Sequence, residues 1–140
     1  MTREQLSRLV TNPAARTYLE PDGWWAELVL EDFAFLADFG YAVAEVHFHQ
    51  AGHFIRYDGS KGHFYMSYEP GQGIEADFYD PSVKRFVPLD LLLAQHGVAT
   101  EPIRHPTDRE VVAATLLRRA NGLKAIAPTV LTYDLEDRRS

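Results

Sequence analysis

The sequence predicts an α+β fold, with an antiparallel meander of four or five strands at about residues 41–87 and helices packed on one face of the sheet. From Tyr41 onward, apolar and polar residues alternate with a period of two between turn signals, which is typical of consecutive antiparallel strands. On either side of this segment, apolar residues recur at helical spacing. A chain of 140 residues, 46% of them hydrophobic, has the size and composition of one globular domain spanning 1–140.

The N-terminal part of the chain is expected to be helical. EQLSRLV predicts a short opening helix, and TNPAARTYLEPDG predicts a loop. Asp22 is suited to be the N-cap of a helix from about Trp24 to Phe39, since its carboxylate can accept from the first free amides. Gly40 then stands just past the helix end, where a positive φ is needed.

Five strands follow, separated by the turns AG, GSKG, EPGQG and DPS. The fifth strand is short and is expected at an edge of the sheet, because Pro88 ends it and has no amide hydrogen to donate. The predicted strands are YAVAEVHFHQ, HFIRYD, HFYMSY, IEADFYD and VKRFV.

The C-terminal part of the chain returns to helical patterns. PLDLLLAQHG predicts a short helix that Gly97 stops, and VATEPIRHP predicts a loop. Thr107 and Glu110 have the spacing of a capping box, which opens a helix expected to end near residues 121–122. LKAIAPTVLTYDL predicts a further helix, bent or started near Pro128.

Hairpin geometry sets the expected cross-strand partners. A two-residue turn at Ala51 and Gly52 fixes the first hairpin, and a four-residue GSKG turn fixes the second. A register error of one residue would place charges on the apolar face. The expected pairs are His47 with Arg56, Glu45 with Asp58, Phe48 with Ile55, Arg56 with Tyr65, Asp58 with His63, Tyr68 with Ile74, Tyr65 with Asp77, and Phe64 with Phe78.

The alternation divides the strand side chains between two faces, of which antiparallel sheets commonly bury one. Three of the four histidines between residues 46 and 68 share the polar face, so their crowding follows mostly from alternation, while His53 faces the core opposite Tyr68. The predicted core face carries Val46, Phe48, Ile55, Tyr57, Phe64, Met66, Ala76 and Phe78, and the polar face carries Glu45, His47, His49, Arg56, Asp58, His63, Tyr65, Ser67, Glu75, Asp77 and Tyr79.

Charge and composition exclude several classes of function. A net charge of −6 disfavours nucleic acid, whose phosphates are bound by Lys and Arg, and favours fast association with a basic protein partner. The absence of cysteine excludes disulfides and thiolate chemistry. No stretch approaches the roughly 20 apolar residues of a membrane span, and the charged N-terminus lacks the apolar run of a signal peptide. We therefore expect a cytoplasmic protein with no membrane association.

A histidine metal site is the first chemical hypothesis. His47 and His49 lie two residues apart on one strand and are able to chelate one ion. His63 is two strands away, roughly 10 Å at the usual strand spacing, whereas zinc needs each nitrogen at about 2 Å. Arg56 between them would repel a cation. We expect no metal and no other cofactor.

Acid–base catalysis is the second hypothesis. His47 and His63 would serve as base and acid for ester or phosphodiester chemistry, with Arg56 stabilising developing negative charge and Tyr65 beside them. A flat sheet face supplies no obvious pocket, however. Cross-strand pairs on a solvated face explain the same residues.

A resemblance adds to this interpretation. FAFLADFGYAVAEVHF, then GHFYMSYEPGQGIEADFYDP, then FVPLDLLLAQHG resemble the pattern of small bacterial proteins, some of which resemble immunity proteins of toxin systems. The pattern is a phenylalanine-rich helix ending in FGY, a meander of strands and a PLDLLL helix, and it covers residues 33–97 best. The resemblance implies a non-enzymatic protein that binds another protein.

The sequence thus favours a non-enzymatic, immunity-like protein that docks a basic partner on its polar sheet face. Aromatic side chains among the carboxylates would provide the anchors that interfaces favour. The alternative is a small hydrolase or ligand-binding enzyme that uses His47, Arg56, His63 and Tyr65. The predicted partner-binding residues are Glu45, Asp58, Tyr65, Asp77 and Tyr79.

Overall fold

The computed structural model describes residues 3–10, 16–50, 52–70, 72–99 and 108–131. The five strands form one antiparallel sheet in the order β1-β2-β3-β4-β5, which confirms the predicted α+β meander. The elements in chain order are α1 (Arg3–Leu9), α2 (Arg16–Asp32), a 3-10 helix (Ala34–Phe39), β1 (Ala42–His47), β2 (His53–Asp58), β3 (His63–Glu69), β4 (Gly73–Asp80), β5 (Arg85–Pro88), α3 (Leu89–Gln95) and α4 (Arg109–Val130).

One face of the sheet forms the floor of the hydrophobic core. Every residue predicted for the core face is buried, and the buried side chains of helices and strands form a single cluster. Trp25 of α2 is fully buried, stacks on Tyr68 at 5.7 Å between ring centroids, and meets Phe48 edge-on at 6.4 Å. The described helices therefore lie on this face, as predicted, and none of them covers the other face.

The second and third hairpins have the predicted registers. β2 and β3 pair Arg56 with Tyr65 and Asp58 with His63, and the four-residue turn closes with the Gly59 amide donating to the Gly62 carbonyl at 3.0 Å. β3 and β4 pair Phe64 with Phe78, Tyr65 with Asp77 and Tyr68 with Ile74. β5 is an edge strand, also as predicted.

The predicted register of the first hairpin is wrong by two residues. His47 pairs with Phe54 and Glu45 pairs with Arg56, because the chain turns earlier, with the Gly52 amide donating to the His49 carbonyl. The register then shifts between Val43 and Glu45, as at a β-bulge. Since side chains alternate with a period of two, a displacement of two residues changes the partners and keeps each strand residue from 45 to 47 on its predicted face.

Helix α2 begins earlier and ends earlier than predicted. It includes Pro21 and Asp22, so Asp22 is not an N-cap and residues 16–23 are not a loop. After α2 the chain continues as the 3-10 helix, and Gly40 ends it with the expected left-handed φ of 81°. The carboxylate of Asp22 bonds instead to His53 of β2, a tertiary contact that local sequence does not reveal.

Helix α4 begins at a different cap and is longer than predicted. Asp108 is the N-cap and accepts from the Glu110 amide at 2.8 Å, while the predicted cap Thr107 lies outside the described residues. The helix continues through residues 121–122 and past Pro128 to Val130, so the predicted break is wrong. A Cβ on Gly122 would lie 3.2 Å from the methyl groups of Leu93. This glycine therefore allows close packing with α3 and does not end a helix.

Two further contacts join the helices, and a bridge borders the sheet. The guanidinium of Arg119 on α4 donates twice to the carboxylate of Asp90 on α3, at 3.1 and 3.0 Å. The Arg109 guanidinium of α4 lies 4.6 Å from the ring centroid of Trp24 on α2. Val10 forms a parallel bridge with Val46 of β1. In the described part of the chain, no helix combines the length and apolarity that crossing a bilayer requires.

Candidate functional site

The side of the sheet opposite the helices is the candidate functional surface, here called the open face. It consists of the outward-pointing residues of β1–β5, which are partly or fully exposed. Its charged and histidine side chains are Glu45, His47, Arg56, Asp58, His63, Glu69, Glu75 and Asp77. The register places these groups beside one another on neighbouring strands, so their contacts follow from the meander itself.

A charge network occupies the part of the open face where β1, β2 and β3 meet. Arg56 donates through Nη1 to Glu45 at 3.1 Å and through Nε to Oδ1 of Asp58 at 3.0 Å. Nδ1 of His63 lies 2.7 Å from the same Asp58 oxygen. The structure thus brings together two members of the predicted catalytic set, Arg56 and His63, through a shared carboxylate. The arginine also offsets part of the negative charge of Glu45 and Asp58.

Aromatic rings cross the open face from one edge of the sheet to the other. The rings of His47 and Phe54 stack with centroids 5.1 Å apart, and Phe54 lies 6.2 Å from Tyr65. Phe86 then contacts Tyr65 at 5.6 Å and Tyr79 at 4.7 Å. The side chain of Tyr79 in turn stacks on His63 at 6.1 Å. We call these six residues the aromatic row: His47, Phe54, Tyr65, Phe86, Tyr79 and His63.

Two members of the aromatic row, Phe54 and Phe86, are absent from the predicted site. Phe86 is 60% exposed, so a large apolar ring faces solvent beside the tyrosines of the row. The signal for Phe54 was present, because alternation along HFIRYD places it on the same side as Arg56. The signal for Phe86 was weaker, since its side depends on pairing with Tyr79 across a turn whose register was not predicted.

A cavity of about 480 Å³ opens at one end of the open face, and we call it the end cavity. The register aligns His47, Phe54, Ser67 and Glu75 in one row across four strands, and all four line the cavity. Ser67 has the smallest side chain of the row, so it leaves a depression between Phe54 and Glu75. Residues of the two adjacent hairpin loops, including Gln72, extend the walls. The flat surface expected from the sequence is therefore interrupted here.

Only one of the four residues predicted to be catalytic lines the end cavity. His47 lines it, whereas Arg56, His63 and Tyr65 do not belong to its lining. His47 is level with Phe54 on β2 and His63 with Asp58, four residues further along the strand. At about 3.3 Å per residue the two histidines are about 13 Å apart along the strand direction, besides their separation across strands. They cannot act together on one bond.

Asp77 lies on β4, between Tyr65 of β3 and Pro88 of the edge strand β5. Partial burial raises the pKa of Asp77, the negative charge of Glu75 raises it further, and the positive charge of Arg119 acts in the opposite direction. The Asp77 carboxylate is thus a group that loses stabilising hydration in the folded protein.

A second histidine–carboxylate pair lies at the core side of the end cavity. Nε2 of His53 is 2.8 Å from Asp22 Oδ2, and Nδ1 of His53 accepts from the His49 amide at 3.1 Å. The second contact leaves the proton on Nε2, which donates to Asp22. Burial and the charge of Asp22 raise the pKa of Tyr68, whose ring lies 6.1 Å from His53. Sequence reasoning missed this pair because its partners are 31 residues apart.

Among the residues that the structure describes, no group of three or more His, Asp or Glu side chains is arranged to hold a metal ion. His47 and His49 do stack, with ring centroids 5.9 Å apart. No protein-family model, curated protein or solved structure matches the chain.

Proposed function

We propose that this chain is a non-catalytic protein-binding domain that docks a basic protein on its open face. The observation that carries the proposal is the aromatic row, which lies among carboxylates on the side of the sheet that none of the described helices covers. An antiparallel sheet commonly exposes one polar face, but a continuous row of rings on that face, five of them half-buried and Phe86 exposed, has the aromatic content that interfaces favour.

The aromatic row supplies the anchors of the proposed interface. Tyrosine and phenylalanine bury large areas and are enriched in interfaces, and tyrosine is frequent among residues that dominate binding energy. Phe86 is the most exposed ring of the aromatic row, and its apolar surface is open to solvent. It contacts both Tyr65 and Tyr79. We infer that Phe86 is the main anchor, with the two tyrosines predicted from the sequence beside it.

Charge determines the chemistry of the partner. The open face carries several carboxylates against the single guanidinium of Arg56, and the chain carries a net charge of −6. The positive charge of Arg56 offsets part of the negative charge of Glu45 and Asp58. The attraction of a basic surface therefore depends more on Glu75 and Asp77. Such attraction acts mainly on the association rate, which suits the immunity-type role implied by the resemblance.

The enzymatic alternative has less support. His47 lines the end cavity, but His63, its proposed catalytic partner, lies about 13 Å further along the strands. Arg56 and His63 share the Asp58 carboxylate, a contact that accounts for their proximity as a cross-strand network.

A site-specific cross-linking experiment tests the proposal. The photoreactive residue p-benzoylphenylalanine is placed at Phe86, or at Leu117 on α4 as a control that is 50% exposed. The tagged protein is irradiated in a lysate of the cells that encode it, and adducts are identified by mass spectrometry. We expect a basic protein joined to position 86 and not to position 117. An adduct of equal yield from Leu117, or an acidic partner, would contradict the proposal.

The purified pair then provides a quantitative test. Asp77→Lys/Phe86→Ala changes charge and anchor on the open face. Asp38→Lys/Leu117→Ala makes the same charge change and truncates another exposed apolar side chain elsewhere. We expect the first variant to bind at least about tenfold more weakly and the second to bind like the wild type. Association should slow steeply as salt rises past about 0.15 M, where screening shortens the reach of the charges. Equal binding by both variants would exclude the open face.

A further inference from the structure

The end cavity lies at the margin of the proposed docking surface and differs from it in shape. Most of the open face is a sheet surface, but Ser67 creates a depression bordered by Phe54 on one side and Glu75 on the other. The volume of about 480 Å³ is within the range of about 300–1,000 Å³ typical of clefts that hold small ligands. A cavity of this size accommodates a single protruding side chain of a docked protein.

The chemistry of its walls indicates a cation with a flat face. The carboxylates of Glu69 and Glu75 line the cavity together with the imidazoles of His47, His49 and His53. The two carboxylates would repel an anion. The half-buried ring of Phe54 provides an aromatic wall, and the amide of Gln72 provides a further polar group. A guanidinium combines both requirements, since it bonds a carboxylate with two parallel N–H groups and stacks on aromatic rings.

We infer that the end cavity receives an arginine side chain of the docked protein, with Glu75 as its carboxylate partner and Phe54 beneath its plane. This inference rests on the proposed function, because it assigns one residue of the basic partner to one place on the open face. A lysine ammonium would satisfy the carboxylate but would use the aromatic wall less well, since it is a compact and strongly hydrated charge.

Binding of an isolated side chain tests the inference without the partner. The probe is N-acetylarginine amide, and N-acetylcitrulline amide has nearly the same shape without the charge. Each is titrated into the full-length protein at pH 8 while backbone amides are followed by ¹H–¹⁵N NMR. For one side chain we expect a dissociation constant of about 1 mM for the arginine compound and shifts centred on Phe54, Ser67 and Glu75. The citrulline compound should cause no saturable shift.

Three variants locate the interaction. Glu75→Gln removes the partner charge at constant size and should weaken binding about tenfold, as expected for a lost charge-assisted hydrogen bond. Ser67→Leu fills the depression and should abolish binding. Glu31→Gln makes the same chemical change as the first variant on the exposed surface of α2 and should bind like the wild type. The amide spectrum shows in each case that the fold is retained.

The outcomes separate this inference from the docking proposal. Equal shifts with citrulline, or unchanged binding by both Glu75→Gln and Ser67→Leu, would overturn the arginine site. If those two variants bind the purified partner normally while Asp77→Lys/Phe86→Ala does not, the docking surface stands and the cavity is not part of it. If all of these variants bind the partner normally, both proposals fail.

Discussion

Nε2 of His53 lies 2.8 Å from Oδ2 of Asp22 and joins the first residue of β2 to the middle of α2. The histidine side chain is 1% exposed and that of Asp22 is 16% exposed. Because Nδ1 of His53 accepts from the His49 amide, the same ring also holds the loop between β1 and β2. One imidazole therefore connects a helix, a strand and a loop beside the end cavity.

Replacing Asp22 should destabilise the fold. Asp22→Ala leaves the buried N–H of His53 without its acceptor, and such a loss costs about 1–3 kcal/mol. Asp22→Asn should cost less, since the amide oxygen is able to accept the same hydrogen bond. Urea titration of both variants measures the free energy of unfolding. Asp38→Ala, at an exposed position, should cost under about 0.5 kcal/mol. Equal losses for Asp22→Ala and Asp38→Ala would contradict a role for the pair in stability.

The assignment of the two sheet faces predicts that alanine substitutions on the buried face destabilise the protein far more than those at exposed positions. Phe64 is fully buried and contacts Phe78 at 4.8 Å and Tyr41 at 5.3 Å between ring centroids. Phe64→Ala should cost about 3–5 kcal/mol, as truncation of a large buried aromatic does. His49→Ala and Glu75→Ala, at exposed positions, should each cost under about 0.5 kcal/mol. The reverse ranking in a denaturant series would invert the faces.

Gly122 should tolerate no large side chain. In the crowded contact with Leu93 and Val98, Gly122→Leu forces atoms into occupied space and should cost about 1–3 kcal/mol. Asn121→Leu places the same side chain on the exposed neighbouring position of α4, where leucine's higher helix propensity should make the change neutral or slightly stabilising. Thermal unfolding compares the two variants. Equal melting temperatures would mean that α3 does not pack closely on this part of α4.

The raised pKa of Asp77 predicts that replacing its carboxyl group with a neutral amide stabilises the protein, by an amount that depends on pH. Burial, followed by the charge of Glu75, raises this pKa above the ordinary 3.8, so the folded protein holds the proton more tightly than the unfolded chain. The stabilisation of the fold that comes from this tighter proton binding is fully present below pH 3.8. It is lost as the pH rises through the pKa that Asp77 has in the folded protein. Asp77→Asn should therefore be more stable than the wild type at pH 7, and the difference should shrink toward pH 3.

The measurement for Asp77 is the free energy of unfolding from pH 3 to pH 7 for both proteins. In a Glu75→Gln background the gain from Asp77→Asn should be smaller, because one of the two causes of the raised pKa is gone. A difference in unfolding free energy that is constant over this pH range, or that grows as the pH falls, would contradict the prediction.

Much of the sheet was predictable because its signals are local. The alternation in HFYMSY and IEADFYD decided which side chains are buried, and the short GSKG turn fixed how β2 and β3 align. The register of the first hairpin was not predictable in the same way. Ala51 and Gly52 suggested a two-residue turn, but the chain turns earlier, and the register also shifts within β1, between Val43 and Glu45. Turn length is a choice among conformations of similar energy, and packing elsewhere selects one.

The helix boundaries show where local signals mislead. Asp22 has the chemistry of an N-cap, and Asn121 beside Gly122 has that of a helix end. In the structure, Asp22 instead forms a hydrogen bond with His53, and Gly122 allows Leu93 to pack closely against α4. Local propensity amounts to about 1 kcal/mol or less per residue, so one buried hydrogen bond or one close helix contact is enough to override it.

The sequence by itself determined the fold class, the two faces of the sheet and the negative charge of the chain, since these depend on periodicity and composition. Tertiary structure decided which groups on the open face meet. It placed Arg56 between two carboxylates and linked the aromatic rings through Phe54 and Phe86. It also opened a cavity where the small Ser67 stands between larger neighbours. A site depends on distances of a few ångströms between separate strands, and these distances are set only when register, twist and loops are fixed together.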